Sequence, residues 1–237
     1  MPFIKKLMRK IFLGPPGCGK GTYSKRISPK LGIPHISTGD LFREHLKNET
    51  EIGKQIKEIM DQGKLVSDDI TIQMVKDRLT HEDCQKGFIL DGFPRTIPQA
   101  EKLHEMTSLD VVTNLTIPED ILIEKICARR NCKDCNKDYN LADIKRSGVN
   151  MPSMLPKQQG ICDDCKGELI KRDDDTEEII KHRLEIYNKE TAPLIDFYRN
   201  KGLLKDIAVT SPPDEMVNKI LEMLDTLKES AVLYDPR

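Results

Sequence analysis

The sequence predicts an α/β fold: a five-stranded parallel sheet with helices on both faces. Three observations predict it. Short apolar runs alternate with stretches of helical spacing, the pattern of parallel strands joined by crossover helices. The first apolar run ends in a glycine-rich loop, Gly14-Pro15-Pro16-Gly17-Cys18-Gly19-Lys20-Gly21-Thr22. A later run, Gly87-Phe88-Ile89-Leu90-Asp91, is buried in character and ends in an acid. Loop and acid both fall at the carboxyl edge of the sheet, where such folds place their ligands.

Taken in order, Lys10 to Leu13 reads as the first strand and Lys20 to Leu31 as a helix with Tyr23, Ile27 and Leu31 on one face. Gly32 closes that helix and Pro34 prevents its restart. His35 to Ser37 is a second strand, and Ser37 to Asp40 caps the next helix. From Thr38 to Gly63 the pattern is helical, thinly apolar and broken at Glu49-Thr50-Glu51. Ser67-Asp68-Asp69 caps a helix to about His81, with Ile70, Met74, Val75 and Leu79 inward. Gly87 to Asp91 is a strand, Ile97 to Met106 a helix, Asp110 to Ile117 a strand, and a helix runs from Pro118 to about Arg130. Asn131 to Arg172 is polar, carries two cysteine pairs and reads as an inserted minidomain. Thr176 to Lys201 is one long helix kinked at Pro193, Leu203 to Val209 the fifth strand, and Pro212 to Leu227 the last helix. The tail, Ala231 to Arg237, reads as loosely held. The expected organisation is core 1–36, a helical insertion 37–66, core 67–130, the cysteine-bearing insertion 131–172, and core 173–237.

At 237 residues the chain is long enough for one sizeable core with small insertions. A net charge of −1 argues against broad binding to nucleic acid or anionic membrane. With 38% hydrophobic and 32% charged residues the composition is that of a globular protein, and no window reaches the ~18 apolar residues of a membrane span. The basic start, Met1 to Lys10, lacks a signal-peptide hydrophobic region and runs directly into the loop. A cytoplasmic, reducing setting is the expectation, in which the seven cysteines serve as thiols or metal ligands.

The glycine loop has the chemistry of a phosphate cradle. Glycines let N–H groups turn inward around an anion, and the following helix points its positive end at the same spot. Gly14, Gly19 and Lys20 fit G-x-x-x-x-G-K, with Lys20 as a point charge for the terminal phosphates. Gly21 stands where Ser or Thr usually follows, and the hydroxyl comes one residue later, at Thr22. A glycine-rich turn without a ligand is the plainer alternative. Cys18 sits at the helix N-terminus, where thiolate is favoured. Cys132-x-x-Cys135 and Cys162-x-x-Cys165 are two hooks, together a closed Cys₄ set for structural zinc, with two disulfides as the alternative.

Four stretches in order carry a resemblance: the glycine loop, Ser37-Thr38-Gly39-Asp40-Leu41-Phe42-Arg43, Asp91-Gly92-Phe93-Pro94-Arg95-Thr96, and Arg172-Asp173-Asp174-Asp175 with Arg183. Together they resemble the adenylate kinase family, in its long form with a zinc-bearing lid, from about Lys10 to Leu227. The Gly-Lys-Gly-Thr departure is that family's habit. The resemblance implies a P-loop core that binds ATP with Mg²⁺ and AMP, moves one phosphoryl group to give two ADP, and works as a monomer.

It also implies roles. The catalytic set is Lys20, Asp91, Arg95, Arg129, Arg172 and Arg183. ATP falls to Gly14, Gly17, Cys18, Gly19, Lys20, Gly21, Thr22, Lys125 and Arg129. AMP falls to Thr38, Arg43, Lys64, Val66, Gly92, Arg95, Gln99, Arg172 and Arg183. Asp91 holds Mg²⁺ through water, assisted by Asp40. Asp174 and Asp175 match hinge acids of the lid that pair with the arginines. The chemistry agrees: an acceptor phosphate with a second pKa of about 6 is largely ionised at neutral pH and needs no general base. It needs a ring of cations around the transferring group.

Two departures stand out. Lys125 occupies a position where the family usually stacks an arginine on the donor base, and a lysine lacks the guanidinium plane. That leaves a GTP:AMP phosphotransferase open, and a UMP/CMP kinase is the alternative on the acceptor side. A zinc-ribbon nucleic-acid binder is disfavoured by the absence of a basic–aromatic stripe. The loop between the hooks is about ten residues longer than the family norm, and the extra, around Asp143 to Pro156, is expected to be disordered or a protruding hairpin.

Overall fold

The first strand divides the core in two. In β1 (Met8–Leu13), Ile11 and Leu13 join one hydrophobic cluster and Phe12 the other, because neighbouring strand residues point to opposite faces. A computed structural model of the chain describes residues 8–232. After β1 come α1 (Lys20–Leu31), β2 (His35–Ser37), α2 (Thr38–Lys47), α3 (Glu51–Asp61), α4 (Asp68–Leu79), β3 (Gly87–Asp91), α5 (Ile97–Met106), β4 (Val111–Thr116) and α6 (Glu119–Cys127). Four short strands and a two-residue one follow: β5 (Arg129–Cys132), β6 (Asp138–Asn140), β7 (Ile144–Arg146), β8 (Val149–Met151) and β9 (Leu169–Ile170). The chain ends with α7 (Glu177–Ile186), α8 (Pro193–Asn200), β10 (Leu204–Ala208) and α9 (Pro213–Val232).

The main sheet has five parallel strands in the order β10, β4, β1, β3, β2. One face is covered by Tyr23 and Ile27 of α1, Leu122 and Ile126 of α6, Leu184 of α7 and Ile220 of α9. The other is covered by Val75 of α4, Leu103 of α5 and Leu194 and Tyr198 of α8. Register aligns Phe12 and Ser37 with Asp91. The acid therefore stands between the glycine loop and the start of α2.

Between β2 and α4, α2 and α3 share a small cluster of Phe42, Ile56 and Val66. The break expected at Glu49 to Glu51 is the joint between them, where the Thr50 side chain accepts from the Gly53 N–H. The helix expected to reach Arg130 stops at Cys127. Arg129 instead enters a three-stranded antiparallel sheet, β6-β5-β9, that holds the cysteine hooks.

Two further expectations are corrected. The long helix is not one kinked rod: a π-turn, Tyr187–Thr191, separates α7 from α8. Pro193 has no N–H to offer Lys189, and its ring would crowd that carbonyl, so the backbone widens before it. The lengthened loop is neither disordered nor protruding. Strands β7 and β8 form a hairpin whose Ile144, Val149 and Met151 are buried against the main core. The Asn150 N–H donates to the Thr210 carbonyl at 2.8 Å, and Arg146 pairs with Glu124 of α6 at 2.7 Å. Ile144, Val149 and Met151 share the face that buries, while Lys145 and Asn150 on the other face stay exposed. Of the loose tail, Ala231 and Val232 lie in α9 and residues 233–237 lie outside the described residues, as do residues 1–7 of the basic start.

Candidate active site

A cleft of about 240 Å³ runs along the carboxyl edge of the sheet. Its floor is the glycine loop. Gly17 has φ +81, and a Cβ there would lie 2.4 Å from Ile126 of α6, so only glycine fits. Gly21 matters for another reason: a Cβ would sit 3.3 Å from the Asp91 carboxylate. The loop carbonyls of Gly14 and Pro15 accept from the Lys20 ammonium at 2.6 and 2.9 Å, aiming it across the loop. Cys18 is fully buried, its sulfur 3.7 Å from that ammonium.

Asp91 is buried, which works against its charge, but His35 at 3.4 Å and nearby Lys20 hold its carboxyl below the usual range. His35 was not among the expected residues; its place in β2, beside β3, is the only signal for it. Asp40 resists its own burial through its pair with Arg43, which also holds its pKa down.

The arginines expected from separate motifs meet here. Arg43, Arg95, Arg129, Arg172 and Arg183 all line the cleft. Burial, then the like charge of Arg183, brings Arg95 down to about 10. Burial, then Arg129, does the same to Arg172, also to about 10. Arg183 is lowered too, mainly by burial. Arg129 goes the other way: burial opposes its charge, but the Asp175 carboxylate, bound at 2.9 and 2.5 Å, outweighs it. Asp174 accepts from Arg183 at 2.8 Å. Cations crowded at this density repel one another and favour a polyanion between them.

Other expected residues sit around this centre. The Thr38 hydroxyl donates to the Gly92 carbonyl at 2.9 Å. The Gln99 carboxamide is engaged at both ends: its oxygen accepts from the Arg95 N–H at 2.7 Å and its nitrogen donates to Asp68 at 2.7 Å. Lys64 is exposed and Val66 is in the small helical cluster; their neighbours Gly63 and Leu65 line the cleft. At the far end, the Lys125 ammonium, lowered by burial, donates to the Met151 sulfur at 3.2 Å. Asp138 of β6 accepts from Thr22 at 3.3 Å and from Asn131 at 2.6 Å, and pairs with Lys25 at 3.4 Å. It thereby closes the cysteine-bearing sheet over the loop.

The four cysteine sulfurs lie within 4.8 Å of one another. Cys132 and Cys165 are 3.3 Å apart and Cys135 and Cys162 3.6 Å, near the ~3.8 Å edge of a tetrahedron with Zn–S of ~2.3 Å. Each hook has the same turn, with the residue after its second cysteine in the left-handed region: Asn136 at φ 57 and Lys166 at φ 66. The Cys165 N–H, aided by the Tyr139 hydroxyl, brings the Cys162 thiol down to about 6. These residues fit a closed structural zinc site.

A family model described as adenylate kinase matches residues 12–203. The chain belongs to the adenylate kinase family. Curated relatives named "Adenylate kinase" agree over nearly their whole length. The one from Archaeoglobus fulgidus is 47% identical, covering 93% of this chain and 100% of the relative. The one from Caldicellulosiruptor saccharolyticus is 48% identical, covering 94% and 96%. That from Thermotoga neapolitana is 46% identical, covering 90% and 96%. As an adenylate kinase family member the chain is a nucleoside monophosphate kinase, and the cysteine cluster supports a zinc-binding lid. Among the described residues no helix is long and apolar enough to cross a membrane.

Proposed function

We propose that the protein transfers the γ-phosphoryl of ATP to AMP, reversibly, giving two ADP and balancing the adenine nucleotides. The observation that carries this reading is the convergence of Lys20, Arg43, Arg95, Arg129, Arg172 and Arg183 on one cleft. An AMP phosphate oxygen attacks the γ-phosphorus, the bond to the β–γ bridging oxygen breaks, and ADP leaves with those electrons. No proton need move at the acceptor. Lys20 and the loop amides hold the donor phosphates, and Arg43 and Arg95 hold the acceptor phosphate. Arg129, Arg172 and Arg183 surround the equatorial oxygens where charge spreads. Asp175 and Asp174 keep Arg129 and Arg183 aligned before substrate arrives.

Asp91, ionised beside Lys20, with Asp40 and the Thr22 hydroxyl nearby, suits Mg²⁺ held through water. A Mg²⁺ held there would supply positive charge to neutralise the donor phosphates. Thr38, Gln99 and the Lys64 to Val66 backbone form the acceptor-base side. Beyond its bonds to Asp68 and the Arg95 N–H, the Gln99 carboxamide keeps one N–H and one carbonyl lone pair for a base edge. The zinc is a staple for a lid too small for its own core. A monomer in a reducing, cytoplasmic setting completes the reading.

The test is ADP formation over a panel of acceptors and donors, with Lys20→Met alongside. AMP is expected as the acceptor, and Lys20→Met as folded, zinc-loaded and inactive. Near-normal turnover in that variant, or preference for UMP or CMP, refutes the reading. A second reading concerns the donor. The Lys125 ammonium has a thioether for its partner, and an ammonium complements the O6 and N7 acceptors of a guanine edge. GTP turnover exceeding ATP turnover would favour it.

A further inference from the structure

The π-turn at Tyr187–Thr191 has no part in the reading above. In an α-helix each N–H reaches back four residues; here the Ala192 N–H reaches five, to Tyr187, at 2.8 Å. The extra residue turns the helix face, and Thr191 comes to line the cleft while only 8% exposed. A threonine in a helix ordinarily returns its hydroxyl to a carbonyl one turn back. Thr191 instead donates across the fold, to the Arg95 carbonyl, at 2.9 Å.

That bond completes a clamp. The Arg95 N–H is held by Gln99 at 2.7 Å, and its Nε by the Gly92 carbonyl at 2.9 Å. Two local bonds and one from across the fold thus fix one residue whose guanidinium is disfavoured by burial and repelled by Arg183 and Arg43. Without anchors on its backbone, repulsion and burial would favour swinging the guanidinium out of the cleft. We propose that Thr191 is a positioning residue for the acceptor phosphate, and that the π-turn exists to aim its hydroxyl at the Arg95 backbone. The turn follows directly on the helix bearing Arg183, so the same bond sets the spacing of two arginines across the cleft. The inference rests on the reading of Arg95 as an acceptor-phosphate ligand.

Steady-state kinetics on the full, zinc-loaded chain test it. Thr191→Val keeps the shape and removes the donor. It is expected to raise the KM for AMP about tenfold while the KM for ATP stays within about twofold, since a lost hydrogen bond and its misplacement are worth about that factor. Thr191→Ser, which keeps the hydroxyl, is expected to restore the AMP value. Should Thr191→Val fail to fold, Thr191→Cys, a far weaker donor of similar size, carries the same expectation. The inference is overturned by an unchanged KM for AMP, by both KM values rising together, or by Thr191→Ser behaving like Thr191→Val. AMP-dependent ADP formation by the unaltered protein tests the underlying reading separately. If that activity stands and the variants do not discriminate, only the role of Thr191 falls.

Discussion

Asp175→Asn removes a charge that Arg129 and Arg183 depend on. Asp175 is 0% exposed, grips Arg129 with two hydrogen bonds of 2.9 and 2.5 Å, and lies 3.8 Å from Arg183. Two unit charges ~4 Å apart at an effective dielectric of about 20 interact by about 4 kcal/mol. Arg129 keeps 21% of its side chain in solvent, which screens part of that, so the expected loss is about 3 kcal/mol, at the lower end for breaking a buried pair. For a chain of this size that is about 6–12 °C in thermal midpoint. Thermal and urea unfolding followed by circular dichroism read it. Saturating ATP is expected to narrow the gap between variant and parent, because phosphate charge then faces the orphaned arginine and bound ligand stabilises the folded state. A loss under about 1 kcal/mol without ligand, against the range for buried pairs, would refute the account, as would a gap that ATP widens.

The buried hairpin and the metal give two further predictions. Ile144→Ala should cost about 2–4 kcal/mol by urea unfolding, as for a core isoleucine; a cost near zero would mean that the hairpin does not seat on the core. Removing the metal with a chelator should raise amide exchange in β5, β6 and β9 and lower turnover, while the five-stranded sheet stays protected. Exchange rising equally in β1, β3 and β4 would contradict a staple confined to the lid.

Much of the site was legible in the sequence because each part is local. The glycine loop, the Asp-Gly-Phe-Pro-Arg box and the cysteine hooks each bring their residues together within a few positions, and the structure lines the cleft with Lys20, Asp91 and Arg95. Residues whose partners lie far along the chain were not legible. His35 meets Asp91 only because β2 pairs with β3. Asp138 meets Thr22 only when the lid sheet lies over the loop. The seat of the hairpin at Ile144 to Met151 was not legible for the same reason: three apolar residues among polar ones do not show what buries them. Gln99 was legible as a polar group just after the Asp-Gly-Phe-Pro-Arg box, not as one already engaged by Asp68 and Arg95.

By itself, the sequence determined the succession of core strands and helices along the chain, the glycine loop and the cysteine hooks. These depend on periodicity, on glycines at close approaches and on ligand spacing, which are properties of neighbouring residues. Tertiary structure decided which charges face one another: the five arginines in one cleft, the acids that hold them, and the Thr191 hydroxyl on the Arg95 carbonyl. Such pairings follow from the order of strands in the sheet and from where the widened turn before Pro193 points its side chains, and no local stretch of sequence says which distant partner each then meets.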